Sequence, residues 1–136
     1  MRIALGSDHG GLELKQAVLA SLAQHGIDTE DVGCFTRDSV DYPDFAREVA
    51  SRVVTGRAAQ GVLVCTTGIG MSIAANRFSG VRAALCLTPD MAVKARSHND
   101  ANVLVLGGAL VSAGQATAIL DAWLKTPSPA EVRHRR

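Results

Sequence analysis

Five short runs of β-forming residues, each followed by a stretch with helical character, constrain this chain more than any other feature. Parallel strands cannot be joined by a tight hairpin and need a crossover, usually a helix. A chain that alternates strand and helix throughout is therefore confined to an α/β architecture, a parallel sheet with helices on both faces. The pattern predicts strands over residues 3–6, 27–33, 62–65, 81–86 and 102–106, and helices over 12–25, 42–55, 69–78, 89–96 and 112–125. At 136 residues the chain fits one domain, 1–136, with a core of its own.

Local chemistry marks the boundaries. Gly26 stops the first helix, Asp41 and Pro43 open the second, and Thr88 caps the fourth with Pro89 at its first position. Leu14, Val18 and Leu22 share one face of the first helix. Phe45, Ala46, Val49, Ala50 and Val53 form a stripe on the second, and Ala116, Ile119, Leu120, Trp123 and Leu124 one on the last. The second strand is the most polar and belongs near an edge. The third, fourth and fifth are nearly all apolar, as parallel strands covered on both faces are. A Pro-Ser-Pro stretch at 127–129 ends the last helix.

Bulk properties exclude some partners. Fourteen Lys and Arg against thirteen Asp and Glu give a formal charge of +1, so no global field favours nucleic acid or a membrane surface. The one local excess is the tail Arg133, His134, Arg135 and Arg136. No apolar run reaches the roughly 18 residues of a transmembrane helix. The N-terminus enters a strand pattern without a signal-peptide core. Cys34, Cys65 and Cys86 make an odd count without CxxC spacing, which fits reduced thiols in a cytoplasmic protein.

Open parallel sheets bind ligands at the carboxyl ends of their strands. That edge should gather SDHGG (7–11), CTTGIG (65–70) and the loops after Cys86 and Leu106, with Asp8, His9, Cys65 and Thr67, and with His98 and Asn99 as further candidates. Cys65 ends an apolar strand before a Gly-x-Gly turn and a helix. It reads either as a small buried hydrophobe or as a thiolate favoured by the helix N-terminus, acting as base or nucleophile. Gly68 and Gly70 are turn glycines or an anion hole. Asp8 is a helix cap or a site residue. Cys86 lacks a glycine turn and reads as structural, and Cys34 as incidental. GSDHGG is not the GxGxxG of a dinucleotide site, and no acidic residue closes the second strand as such a site requires.

The segments SDHGG (7–11), DYPDFA (41–46), GVLVCTTGIGMSIAANRFSGVRAALC (61–86), SHNDANVLVLG (97–107), DAWL (121–124) and RH (133–134) stand in an order and spacing that resembles the ribose/galactose phosphate isomerase family, ribose-5-phosphate isomerase B among its members, over almost the whole chain. The resemblance implies a three-layer α/β/α sandwich of Rossmann-like type with a five-stranded parallel sheet. It implies a homodimer, sometimes paired into a tetramer, with active sites built from both subunits and with neither metal nor organic cofactor. The implied reaction interconverts ribose 5-phosphate and ribulose 5-phosphate through a cis-enediolate.

Residue by residue, Cys65 matches the family's catalytic base, which moves a proton between C2 and C1. Thr67 matches the hydroxyl that contacts the reacting oxygens. Gly68 and Gly70, with the backbone around Ser72, match the loop that holds the enediolate oxygen. His98 matches the residue that opens the furanose ring, and Asn99 a substrate-binding amide. Asp8 and Tyr42 match residues lining the sugar, and His9 and Arg133 phosphate contacts. Arg133, on the tail 127–136, is expected to reach the partner subunit.

Three departures from the family pattern stand out. Ala109 occupies the place of a phosphate-binding arginine. The tail motif RHxxR lacks its second arginine, with Arg135 or Arg136 as substitutes, and the usual C-terminal helix does not follow. Thr66 replaces a small glycine beside the base and is expected to reshape the pocket. These departures leave room for a tetrose or hexose phosphate, or an unphosphorylated or carboxylated sugar. A non-catalytic sugar-phosphate-binding subunit would be expected to lack the base, and Cys65, Thr67 and His98 are all present.

Overall fold

A computed structural model describes residues 1–129. Its elements run β1 (Arg2–Ser7), α1 (Leu12–Gln24), β2 (Asp28–Asp31), α2 (Tyr42–Val54), β3 (Gln60–Cys65), α3 (Ile69–Asn76), β4 (Ala83–Leu85), α4 (Pro89–Ser97), β5 (Val103–Gly107) and α5 (Ala113–Lys125). A 3₁₀ turn, His9–Gly11, precedes α1. The five strands are parallel, in the order β2-β1-β3-β5-β4. This is the expected α/β fold with β2 at an edge. Helix α5 opens on a capping box, with the Ser112 hydroxyl accepting the Gln115 N–H and the Gln115 side chain accepting that of Ser112.

Side chains alternate across a strand, and the alternation sorts the core into two layers. Ile3, Leu5, Val62, Val64, Leu104 and Leu106 face α1, α4 and α5. Ala4, Leu63, Cys65, Val103 and Val105 face α2 and α3. Cys65 therefore points into the layer that carries its own following helix. Trp123 is fully buried in the first layer, its indole N–H donating to Gln60 Oε1 at 3.0 Å.

The fourth strand departs from expectation. It is three residues long and half-buried, because β5 inserts between β3 and β4 and leaves β4 at the other edge with one neighbour. Its open side is closed by a side chain: Asn76 Nδ2 donates to Ala83 O at 2.9 Å and Oδ1 accepts Ala83 N–H at 2.8 Å. This amide stands in for the missing strand and blunts the edge.

The second strand also ends earlier than expected, on the acidic Asp31. Its carboxylate is taken by the buried Lys15 at 2.6 Å, so it contributes to packing. Cys34, expected to be incidental, is buried too: its N–H donates to Ser7 O at 2.8 Å and its carbonyl accepts from Lys15 Nζ at 2.8 Å. These bonds fasten the loop after β2 to the end of β1.

Cys86 is fully enclosed, and burial pushes its thiol from an ordinary 9.0 up to about 11. Above pH 9 the unfolded chain releases this proton and the folded chain keeps it, so stability falls as pH rises from about 9 to 11. The loss should approach roughly 2–3 kcal/mol. Cys86→Ala should flatten that slope in urea unfolding midpoints measured across this range.

Candidate active site

Three loops meet at the carboxyl edge of β1, β3 and β5. Asp8 N–H donates to Val64 O at 3.2 Å, Gly108 N–H to Cys65 O at 2.8 Å, and Ala109 N–H to Thr66 O at 2.8 Å. SDHGG, CTTGIG and the loop after Leu106 thus share one edge, as the topology requires. The closeness rests on glycine. A Cβ at Gly11 would lie 2.5 Å from Val64 O, and one at Gly108 2.8 Å from Gly10 O.

Cys65 sits at the end of β3, paired in register with Gly107 and 5% exposed. Gly68 N–H donates to its sulfur at 3.1 Å. The turn that aims this amide requires a left-handed residue, and Gly68 has φ +79°. A Cβ there would also meet Leu85 Cδ1 at 2.6 Å. Gly68→Ala should therefore cost about 1–3 kcal/mol of folding stability, read as a lower urea midpoint, and should reduce turnover by swinging the amide off the sulfur.

Gly68 caps α3, the helix that follows. Thr67 Oγ1 accepts Ile69 N–H at 3.3 Å, and Ser72 N–H makes the first intrahelical bond, to Gly68 O, at 2.9 Å. Helix geometry leaves the N–H groups of Gly70 and Met71 without intrahelical acceptors. An oxyanion at this turn would meet those two amides, whereas the Ser72 amide is already engaged. The Tyr42 ring lies over Gly70, where a Cβ would come within 2.7 Å of Cζ.

Asp8 is buried, and its Oδ1 accepts Gly11 N–H at 3.1 Å, so it does cap the first turn. His9 is exposed beside it. Its Nδ1 accepts Val40 N–H at 3.2 Å, which places the proton of the neutral ring on Nε2. Thr66 turns its hydroxyl against Gly10, toward the first loop.

His98 and Asn99 do not join this edge, contrary to the grouping expected from sequence. Helices run antiparallel to the strands they connect, so the end of α4 lies at the amino edge of the sheet. Asn99 O accepts from Arg82 Nε at 2.7 Å, and Asn102 O accepts Gly61 N–H at 2.9 Å, both at strand beginnings. The five residues of β5, roughly 16 Å at 3.3 Å each, separate them from Cys65. At that edge Ser97 Oγ donates to Val93 O at 2.7 Å and lies 3.0 Å from His98 Nδ1. With its proton committed, the hydroxyl accepts from Nδ1–H, and the neutral ring carries its lone pair on Nε2. Sequence reasoning missed Ser97, whose one signal was its place beside the histidine.

The chain beyond α5 is held at this same amino edge. The buried Arg96 donates to Ala101 O at 2.5 Å, Thr126 O at 3.2 Å and Ser128 Oγ at 3.2 Å, with its guanidinium 5.4 Å over the Trp123 ring. Arg133 lies outside the described residues. Among the described residues no group of three or more His, Cys, Asp or Glu is placed to hold a metal ion, and no helix is long and apolar enough to cross a membrane.

Residues 3–136 match the family described as Ribose/Galactose Isomerase. The chain belongs to that family. It is 44% identical to the ribose-5-phosphate isomerase B of Escherichia coli over 123 residues, 90% of this chain and 83% of the relative. Among solved structures of the family, a ribose 5-phosphate isomerase of Thermotoga maritima superposes with a TM-score of 0.95 at 52% identity, covering 99% of this chain and 92% of that one. The type B ribose 5-phosphate isomerase of Trypanosoma brucei superposes at 0.91 with 43% identity, over 98% of this chain and 91% of that one. These superpositions agree with the Rossmann-like three-layer arrangement described above.

Proposed function

We propose that this chain is an aldose–ketose isomerase that interconverts ribose 5-phosphate and ribulose 5-phosphate. The observation that carries the reading is Cys65, a thiol at a strand's carboxyl end whose sulfur receives the Gly68 N–H at 3.1 Å. Family membership supplies the reaction class.

In the mechanism, the Cys65 thiolate takes the C2 proton of the open-chain aldose. Negative charge passes to the carbonyl oxygen at C1, facing the Gly70 and Met71 amides. The hydroxyl proton moves between O2 and O1, with the Thr67 hydroxyl against those oxygens, and Cys65 returns its proton to C1. One base on one face of a planar cis-enediolate suffices for both transfers. Asp8 and Tyr42 border the sugar, and His9 donates through Nε2 to the phosphate. The positioned base contributes roughly 10²–10⁴-fold, and each oxyanion donor a further 10²–10³-fold.

Ring opening needs a base at the furanose C1 hydroxyl. His98, with its lone pair on Nε2, has the chemistry, and Asn99 would hold the sugar beside it. Both lie at the sheet edge opposite Cys65, so we propose that a second copy delivers them, as a homodimer or a pair of dimers. Thr126 and Ser128, the described residues past α5 that Arg96 binds, are held at the same edge. The exposed Ile69 and Ile73 on α3 offer apolar surface for such an assembly. We place the protein in the cytoplasm on its three unpaired thiols.

A substrate panel tests the assignment. Turnover of ribose 5-phosphate should exceed that of tetrose and hexose phosphates and of free ribose. A better rate with any of these would overturn it, and Ala109 makes another sugar the second reading.

A further inference from the structure

We infer that Arg37 supplies the guanidinium that holds the substrate phosphate in the cleft beside His9, a role that rests on the sugar-phosphate isomerase reading. The cleft, about 480 Å³, opens between the first turn of α1 and the start of α5, with His9, Glu13, Arg37, Gly108 and Ser112 in its walls. Gly108, in its wall, donates to the carbonyl of Cys65. The cleft therefore borders the carboxyl end of β3, the strand that carries the base, where the far end of a five-carbon substrate would lie.

The loop that carries Arg37 is fixed on both sides of it. Cys34 N–H bonds Ser7 O at 2.8 Å on one side, and Val40 N–H bonds His9 Nδ1 at 3.2 Å on the other. The second bond orients the His9 Nε2 proton as a donor and brings the loop against the histidine. Among the described residues that line this cleft, Arg37 carries the one permanent positive charge. Ala109, next to Gly108, offers only a methyl group, and its N–H is spent on Thr66 O.

Arg37 Nη1 donates to Glu13 Oε1 at 2.9 Å, with both side chains about three-quarters exposed, at 75% and 76%. An exposed pair of this kind contributes little, and the bond uses one of five guanidinium donors. A phosphate dianion offers the planar fork a stronger, bidentate partner. Glu13 thus parks the guanidinium when no phosphate is present, and its negative charge works against phosphate entry.

The test compares wild type, Arg37→Ala, Glu13→Gln and the double variant Arg37→Ala/Ala109→Arg. It measures steady-state kinetics with ribose 5-phosphate, and binding of inorganic phosphate by calorimetry. Arg37→Ala should raise KM and weaken phosphate binding roughly ten- to a hundredfold, with kcat and melting temperature nearly unchanged. Glu13→Gln should shift both constants the opposite way, and the double variant should recover most of the loss. Equal phosphate affinity in wild type and Arg37→Ala overturns the inference whatever the substrate. A wild type that binds phosphate through Arg37 but does not isomerise ribose 5-phosphate upholds this site and overturns the assigned reaction.

Discussion

Cys65→Ala is expected to lower isomerase turnover by roughly 10²–10⁴-fold while leaving binding of an unreactive sugar phosphate within about a factor of three. The split follows from the geometry. The sulfur is the one group at this turn able to accept a carbon-bound proton, and it is 5% exposed, so it offers the ground-state substrate little contact area. The Gly70 and Met71 amides survive the change because the backbone fixes them, and so does the Gly68 turn. Cys65→Ser should be nearly as inactive, since a hydroxyl at the same place holds its proton too tightly to serve as the base near neutral pH. Initial rates and calorimetry on both variants check the prediction. Unchanged turnover in the alanine variant would remove Cys65 from the mechanism.

The second large effect is a recovery. Cys65→Ala and His98→Asn chains should each be strongly impaired alone, yet mixing them after gentle dissociation should restore activity. In the proposed two-fold dimer each site would take Cys65 from one chain and His98 from the other. A mixed dimer then has one site with both defects and one with neither. Random pairing makes half the dimers mixed, with one intact site of two, so recovery should approach about a quarter of wild-type activity. The opposite placement of the two residues across the sheet is the physical basis. A mixture no more active than the sum of its components would show that each site is complete within one chain.

The helices were legible because their apolar residues follow a helical period, and the inner strands because they are short, nearly unbroken apolar runs. The face of α5 that includes Ile119, Leu120 and Trp123 packs where its spacing predicts, and the unbroken apolar run of β3 is buried on both sides, Val62 and Val64 in one layer and Leu63 and Cys65 in the other. The order of β4 and β5 was not legible, since both read as short apolar runs and nothing local says which takes the edge. The Asn76 amide that closes β4 looks in sequence like any polar residue near a helix end.

The candidate site divides in the same way. Cys65, the glycine turn, Asp8 and His9 could be grouped because each ends or closely follows a strand, and strand ends share an edge. His98 follows a helix end, and the direction of that helix puts it on the other side. Arg37 carried no signal at all. It lies in a loop without periodicity, brought to the cleft by tertiary bonds such as those of Cys34 to β1 and Val40 to His9.

Arg96 fastens the start of β5 and the first residues past α5 to the last turn of α4, one residue short of the Ser97–His98 pair. Each backbone residue that must be ordered when two chains meet costs about 1–2 kcal/mol. At the edge that the proposed dimer would present to its neighbour, these groups are already hydrogen-bonded within one chain. Association then resembles the closing of two preformed parts, and little conformational entropy remains to be lost when they dock.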